Sequence, residues 1–247
     1  MLFKNKITIF LLIVSFFPFS TKAELKIYTE EFPPFNYTEN GKLKGFSVEI
    51  VKRIIKKEGL KTKIIMTSWA RCLQYLNNSQ KPVAVFTMAM NEVRRPLYKW
   101  VGPIKSTNIV AFSLKKSGHK FKNINEIKKS GLIVGICNKC NSYNILLKMR
   151  FPKNSIDGTY NMGDLVKKLY YGRIPVVVFE ENAFEKITQS LNYSMDKLNK
   201  LFVFKTKTTW IAFSKNTPNS VVERWQKAFD NISIDDKNKI FSKYLNN

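Results

Sequence analysis

The chain has 247 residues, 44% of them hydrophobic and 13% aromatic. That is enough apolar surface to offset the entropy of ordering, which excludes wholesale disorder as well as collagen-like and coiled-coil compositions. Its 42 lysines and arginines face only 18 acids, a formal charge of +24, so a focused anionic partner has to be weighed against a solvated basic surface.

Lys4 and Lys6 precede an uncharged run at 7–19, ITIFLLIVSFFPF, followed by Ser20-Thr21-Lys22-Ala23. A charged start, a short apolar stretch and a small-residue exit make residues 1–23 a signal peptide, cleaved after Ala23. As a helix the run would reach roughly 20 Å, short of a hydrocarbon core of about 30 Å. Cleavage removes Lys4, Lys6 and Lys22 and no acid, leaving 39 basic residues against 18 acidic ones, or +21. No later stretch has eighteen consecutive apolar residues, so a soluble periplasmic protein is expected. In that oxidising compartment Cys137 and Cys140, spaced Cys-Asn-Lys-Cys, are a candidate disulfide that leaves Cys72 unpaired.

Residues 25–29 (LKIYT) have strand character and are cut off by Pro33-Pro34. Glu39-Asn40-Gly41-Lys42 is a turn signal, after which Phe46, Ile50, Val51, Ile54 and Ile55 recur at helical spacing until Gly59. Residues 62–66 read as a strand, 70–77 as a helix and 82–88 (PVAVFTM) as a third strand. Alternating strands and helices argue for a parallel sheet with crossover helices. The same grammar repeats in a strand at 131–136, helices at 142–149 and 162–171, and a strand at 174–179 (IPVVVF). Two long strand-like segments, 108–115 and 201–214, have the look of connections crossing between two lobes. In the tail, 220–244, Val221, Val222, Trp225, Phe229 and Ile232 recur at helical spacing and are expected to pack back on the first lobe.

Several pieces taken in order resemble the family 3 extracellular solute-binding proteins. They are Phe32-Pro33-Pro34-Phe35-Asn36-Tyr37, Asn40-Gly41-Lys42-Leu43-Lys44-Gly45-Phe46, Trp69, Asn91-Glu92-Val93-Arg94-Arg95, Trp100-Val101-Gly102-Pro103-Ile104, Gly172-Arg173-Ile174 and Ala212-Phe213-Ser214-Lys215-Asn216-Thr217-Pro218. The resemblance implies an α/β fold of the two-lobed type II periplasmic-binding-protein class, with lobe 1 formed by 24–107 plus 207–247 and lobe 2 by 108–206. It also implies a small-molecule ligand, amino-acid-like and carboxylate-bearing, trapped between the lobes by a monomer that serves an ABC transporter permease. Arg94 would then grip the ligand carboxylate, because a planar guanidinium presents paired donors. Thr87 would assist it, Phe32 and Trp69 would cover the ligand, and Glu180 would accept from its ammonium. Ala89 stands where the family usually has a hydroxyl, and Lys139-Cys140-Asn141 where it offers Gly-Thr-Thr. At Cys140, Asn141 and Ser142, backbone donors of a helix start would therefore replace side-chain hydroxyls.

Three rivals are weighed on the same residues. Some members of the family are cyclohexadienyl dehydratases, and Glu180 or Glu181 would supply an acid or base if burial raised its pKa. The sole histidine, His119, lies among lysines, and one histidine builds no Ser-His-Asp set. The Cys137–Cys140 pair follows a strand and opens a helix, a context that also suits redox chemistry. Nucleic-acid binding lacks an aromatic-basic motif or zinc-finger spacing, so the excess charge reads as a solvated surface able to touch anionic membrane lipids weakly. No cofactor is expected, and no metal either, because Cys137 and Cys140 alone fall short of the ligands a site needs.

Overall fold

The computed structural model of the protein describes residues 25–138 and 141–245, so the leader at 1–23 and Cys140 lie outside the described residues. The chain opens with β1 (Lys26–Thr29), a hairpin of β2 (Tyr37–Glu39) and β3 (Lys42–Lys44), then α1 (Phe46–Lys57), β4 (Ile64–Met66), α2 (Trp69–Asn78) and β5 (Val83–Ala89). The long β6 (Lys99–Leu114) leads to α3 (Ile124–Ser130), β7 (Val134–Cys137), α4 (Asn141–Lys148), β8 (Ile156–Thr159), α5 (Met162–Tyr170), β9 (Val176–Glu180) and α6 (Glu181–Ser190). The equally long β10 (Leu198–Phe213) returns, and α7 (Asn219–Asp230) and α8 (Ile234–Leu245) complete the chain.

Eight of these strands hydrogen-bond in the order β4-β1-β5-β10-β6-β9-β7-β8. On one side β1 runs parallel to β4 and β5, and on the other β7 runs parallel to β8 and β9. β6 and β10 pair antiparallel along nearly their whole length, β10 also pairing with β5 and β6 with β9. The pairings with β5 use residues 209–213 of β10, and those with β9 use residues 109–112 of β6. Around Thr107 and its partner Lys207 the two long strands therefore pair only with each other. Two half-sheets are thus joined by one two-stranded ribbon.

Strand burial follows from helices on both faces. In β5, Ala84 and Phe86 join one core cluster while Val83 and Val85 join another, and in β9 Val177 and Phe179 face away from Val176 and Val178. Alternate residues of a strand point to opposite faces, so burying both produces the continuous apolar runs seen in the sequence. β6 begins at Lys99, well before the expected 108, and carries Pro103 inside it. The β6–β10 register shifts between Thr209 and Ile211, opposite that proline, which accommodates a residue with no N–H to donate. The tail is two helices, separated where Ile232 buries into the core and the Ser233 hydroxyl accepts from Asp236 N–H at 3.0 Å to start the second.

The loop before α1 shapes the surroundings of the site. α1 has no side-chain cap; the Pro34 carbonyl accepts from Phe46 N–H at 3.1 Å and the Phe35 carbonyl from Ser47 N–H at 2.9 Å. This close approach requires glycine before the helix, because Gly45 sits at φ 123° and a Cβ there would lie 2.3 Å from the Phe35 oxygen. Gly45→Ala is expected to destabilise the protein by at least about 1–3 kcal/mol, read as a lowered midpoint in urea unfolding; an unchanged midpoint would show that the loop has no such dependence on glycine.

Candidate functional site

A cavity of about 60 Å³ opens beside the ribbon, where β1, β5 and β9 present their carboxyl ends. That is the position at which α/β sheets commonly hold ligands. Glu30 follows β1, Thr87 and Ala89 end β5, Glu180 ends β9 and Lys207 lies on β10; all line the cavity. An outer compartment of about 700 Å³ shares Glu30, Trp69 and Met162 with it and extends past Cys137 and Tyr160.

Of the residues singled out from the sequence, Arg94, Thr87, Phe32, Trp69, Glu180 and Ser142 line this one cavity. Asn141 opens α4, and Cys140 falls outside the described residues. Cys137 carries a disulfide, while Cys72 is a free thiol that burial pushes up to about 12, which leaves it inert near neutrality. His119 stacks on Phe121 rather than lining the cavity.

Each polar wall has a local cause. Arg94 precedes a short 3-10 turn, and its N–H donates to Asn91 Oδ1 at 2.8 Å. Its Nη1 donates to the Ala89 carbonyl at 3.2 Å and its Cζ stands 5.5 Å from the Trp69 ring centroid. No salt bridge within 4.0 Å joins it to a carboxylate among the described residues. Thr87 adopts φ 62°, a conformation that β-branched residues avoid. Its Oγ1 donates to Asn36 Oδ1 at 2.6 Å, and Asn36 Nδ2 donates to the Glu30 carbonyl at 2.5 Å. The fully buried Asn36 thereby fastens the ends of β1 and β5 to the Phe32 loop.

Glu180 does more than follow a strand: its side chain caps α6. Oε2 accepts from Ala183 N–H at 2.7 Å and Oε1 from Asn182 Nδ2 at 2.9 Å. Burial raises its carboxyl pKa, opposed by Lys207 and by those bonds. Glu30 and Lys207 are the two charged cavity residues that the sequence reading missed. Burial pushes Glu30 up to about 7 against the pull of Lys207 and Arg94. Burial lowers Lys207, while Glu180 and Glu30 hold it up and Arg94 lowers it further. Lys207 Nζ lies 4.7 Å from the Phe32 ring centroid, and Phe32 in turn stacks on Phe35. No local signal marks Lys207, because strand alternation places it on the same face as the exposed Lys205.

The residue pattern of the bacterial extracellular solute-binding proteins, family 3, matches residues 25–247. The chain belongs to this family. Among its relatives, the L-cystine-binding protein TcyJ of Escherichia coli (strain K12) is 26% identical over 106 residues, covering 42% of this chain and 40% of that one. The chain thus spans about two fifths of the length of that relative. A probable histidine-binding protein of Campylobacter jejuni is 21% identical over 223 residues, covering 87% and 82%. A mutant of ArgBP from T. maritima superposes with a TM-score of 0.77 at 18% identity, covering 90% of this chain and 96% of that one. The fold is that of the type II periplasmic binding proteins, and the matched relatives are named as binding proteins.

The raised Glu30 sets a pH window. Its carboxyl lies at about 7 in the folded protein against an ordinary 4.5, so the folded state holds a proton that the unfolded chain has released. The associated stability is complete below 4.5 and is lost as pH rises to 7. The unliganded protein is therefore expected to lose stability over that interval, by at most about 3 kcal/mol from this group, and Glu30→Gln to flatten the loss. Equal pH slopes for the two proteins in thermal unfolding would remove Glu30 as the cause.

Proposed function

We propose that the protein is a periplasmic solute receptor that captures a small carboxylate-bearing solute of the amino-acid type. On this reading it is exported by the leader at 1–23, acts as a monomer and delivers its solute to an ABC transporter permease. The observation that carries the reading is Arg94, a guanidinium set into a small cavity against the Trp69 ring with no carboxylate paired to it among the described residues. A charged group held out of bulk water without a directly paired counter-charge is unfavourable, and a ligand carboxylate with two oxygens matches its paired donors.

The β6–β10 ribbon is the hinge in this proposal, joining lobe 1 (24–107 plus 207–247) to lobe 2 (108–206). Arg94, Thr87, Phe32 and Trp69 then act from lobe 1, Glu180 and Ser142 from lobe 2. The start of α4 at Asn141 and Ser142 offers backbone donors to an anion. Closure is favoured by the difference in the solute's affinity for the open and closed states, so contacts from both sides are what drive it. The names of the relatives, an L-cystine-binding protein and a probable histidine-binding protein, support the amino-acid type. Catalysis on the same scaffold gains no support from either glutamate, since both Glu180 oxygens accept hydrogen bonds at the start of α6 and Glu181 pairs with Lys200 at 2.7 Å.

Arg94→Ala is expected to weaken solute binding by about 2–5 kcal/mol and to abolish ligand-induced thermal stabilisation. The check is a thermal-shift screen of amino acids, dicarboxylates and aromatic acids on both proteins, where a solute at a hundred times its dissociation constant adds about 2.7 kcal/mol. A solute that stabilises both proteins equally would take Arg94 out of the site.

A further inference from the structure

We propose, resting on the reading above, that the solute carries two carboxylates, the second held by Lys207, so that this receptor takes acidic amino-acid-type solutes and rejects basic ones. Three charged groups in the cavity are open to a ligand. Arg94 uses a single side-chain hydrogen bond, to the Ala89 carbonyl. Lys207 Nζ has three donors yet makes no hydrogen bond and no ion pair within 4.0 Å to any described residue; the Phe32 ring face is its one close partner. An aromatic face attracts a cation but accepts no strong hydrogen bond, so the ammonium's donors are still to be satisfied. The Glu30 carboxyl likewise has no hydrogen-bond partner among the described residues, its contacts with Lys207 and Arg94 being through-space attraction. Glu180 differs, with both oxygens engaged at the start of α6.

The open poles are therefore two cations and one acid. A solute with two carboxylates and one ammonium matches them, carboxylates to Arg94 and Lys207 and ammonium to Glu30. A neutral amino acid leaves the Lys207 donors unpaired in a partly dehydrated cavity, and a solute with a cationic side chain sets a third positive charge against two.

The test is isothermal titration of the mature protein with L-glutamate, L-aspartate, succinate, L-glutamine, L-asparagine and L-arginine. At least one diacid is expected to bind ten-fold or more tightly than its amide counterpart, with L-arginine weaker than either. Lys207→Met should collapse that preference, while Lys207→Arg, which restores a cation, should retain it; the thermal midpoints of the unliganded variants establish that they fold. Binding of L-glutamine or L-arginine as tightly as L-glutamate, a preference that survives in Lys207→Met, or no binding of any of the six would overturn the proposal. A different solute whose binding still vanishes in Arg94→Ala would leave the receptor reading standing while this inference falls.

Discussion

Ionisable groups removed from bulk water need partners, and at the centre of this molecule Arg94, Lys207, Glu30 and Glu180 face one cavity of about 60 Å³. The surrounding architecture supplies part of what they lose. The start of α6 and Asn182 solvate Glu180, the Ala89 carbonyl and the Trp69 face hold Arg94, and the Phe32 face meets Lys207. What remains unsatisfied is distributed unevenly, and that unevenness carries information. Glu180 has its oxygens occupied, whereas Glu30, Lys207 and most of the Arg94 fork do not, so the groups left open define the chemistry a solute has to bring.

Placing such groups requires a scaffold that is rigid within each half. Asn36 ties the Phe32 loop to both β1 and β5 through two hydrogen bonds, and Thr87 is held in a left-handed conformation by the same contact. Gly45 allows the loop carbonyls to replace a side-chain cap on α1. These devices fix Glu30, Phe32 and Thr87 relative to one another. Among the described residues the β6–β10 ribbon is the only sheet connection between the halves, and Lys207 sits on it, paired with Thr107. A charge placed there interacts with Glu30 from one half and Glu180 from the other.

How much of this was readable from the sequence depends on what each residue's neighbours hide. The strands at PVAVFTM and IPVVVF were legible because burial of both faces leaves an unbroken apolar run, and Asn40-Gly41 marked a turn whose two residues take positive φ. β8, with its sequence Ile-Asp-Gly-Thr and half-buried surface, carries no such signal. α6 went unseen because its cap is a glutamate beside another glutamate, which reads as a solvated pair. Arg94, Trp69 and Phe32 were reached through the family resemblance, since an arginine beside Arg95 and bare aromatics are otherwise ordinary. Lys207 is one of 42 lysines and arginines, and nothing local distinguishes Glu30 from its neighbour Glu31. What decides their status is three-dimensional: the ribbon and the carboxyl ends of the strands bring them into one cavity, and no local spacing encodes that.

In the proposed receptor the large positive charge and the cavity charges act at different stages of capture. Of the many lysines, most stand on exposed faces, where interactions beyond a Debye length of roughly 8–10 Å are largely screened. Their summed field biases the approach of anions and therefore the association rate, with a strong dependence on ionic strength. On the proposed reading Arg94 and Lys207 act inside the cavity, so their contribution falls mainly on the dissociation rate. On that reading the receptor gathers anions with its surface and discriminates among them with its cavity, the first contribution falling with salt and the second with the loss of partners inside the cavity.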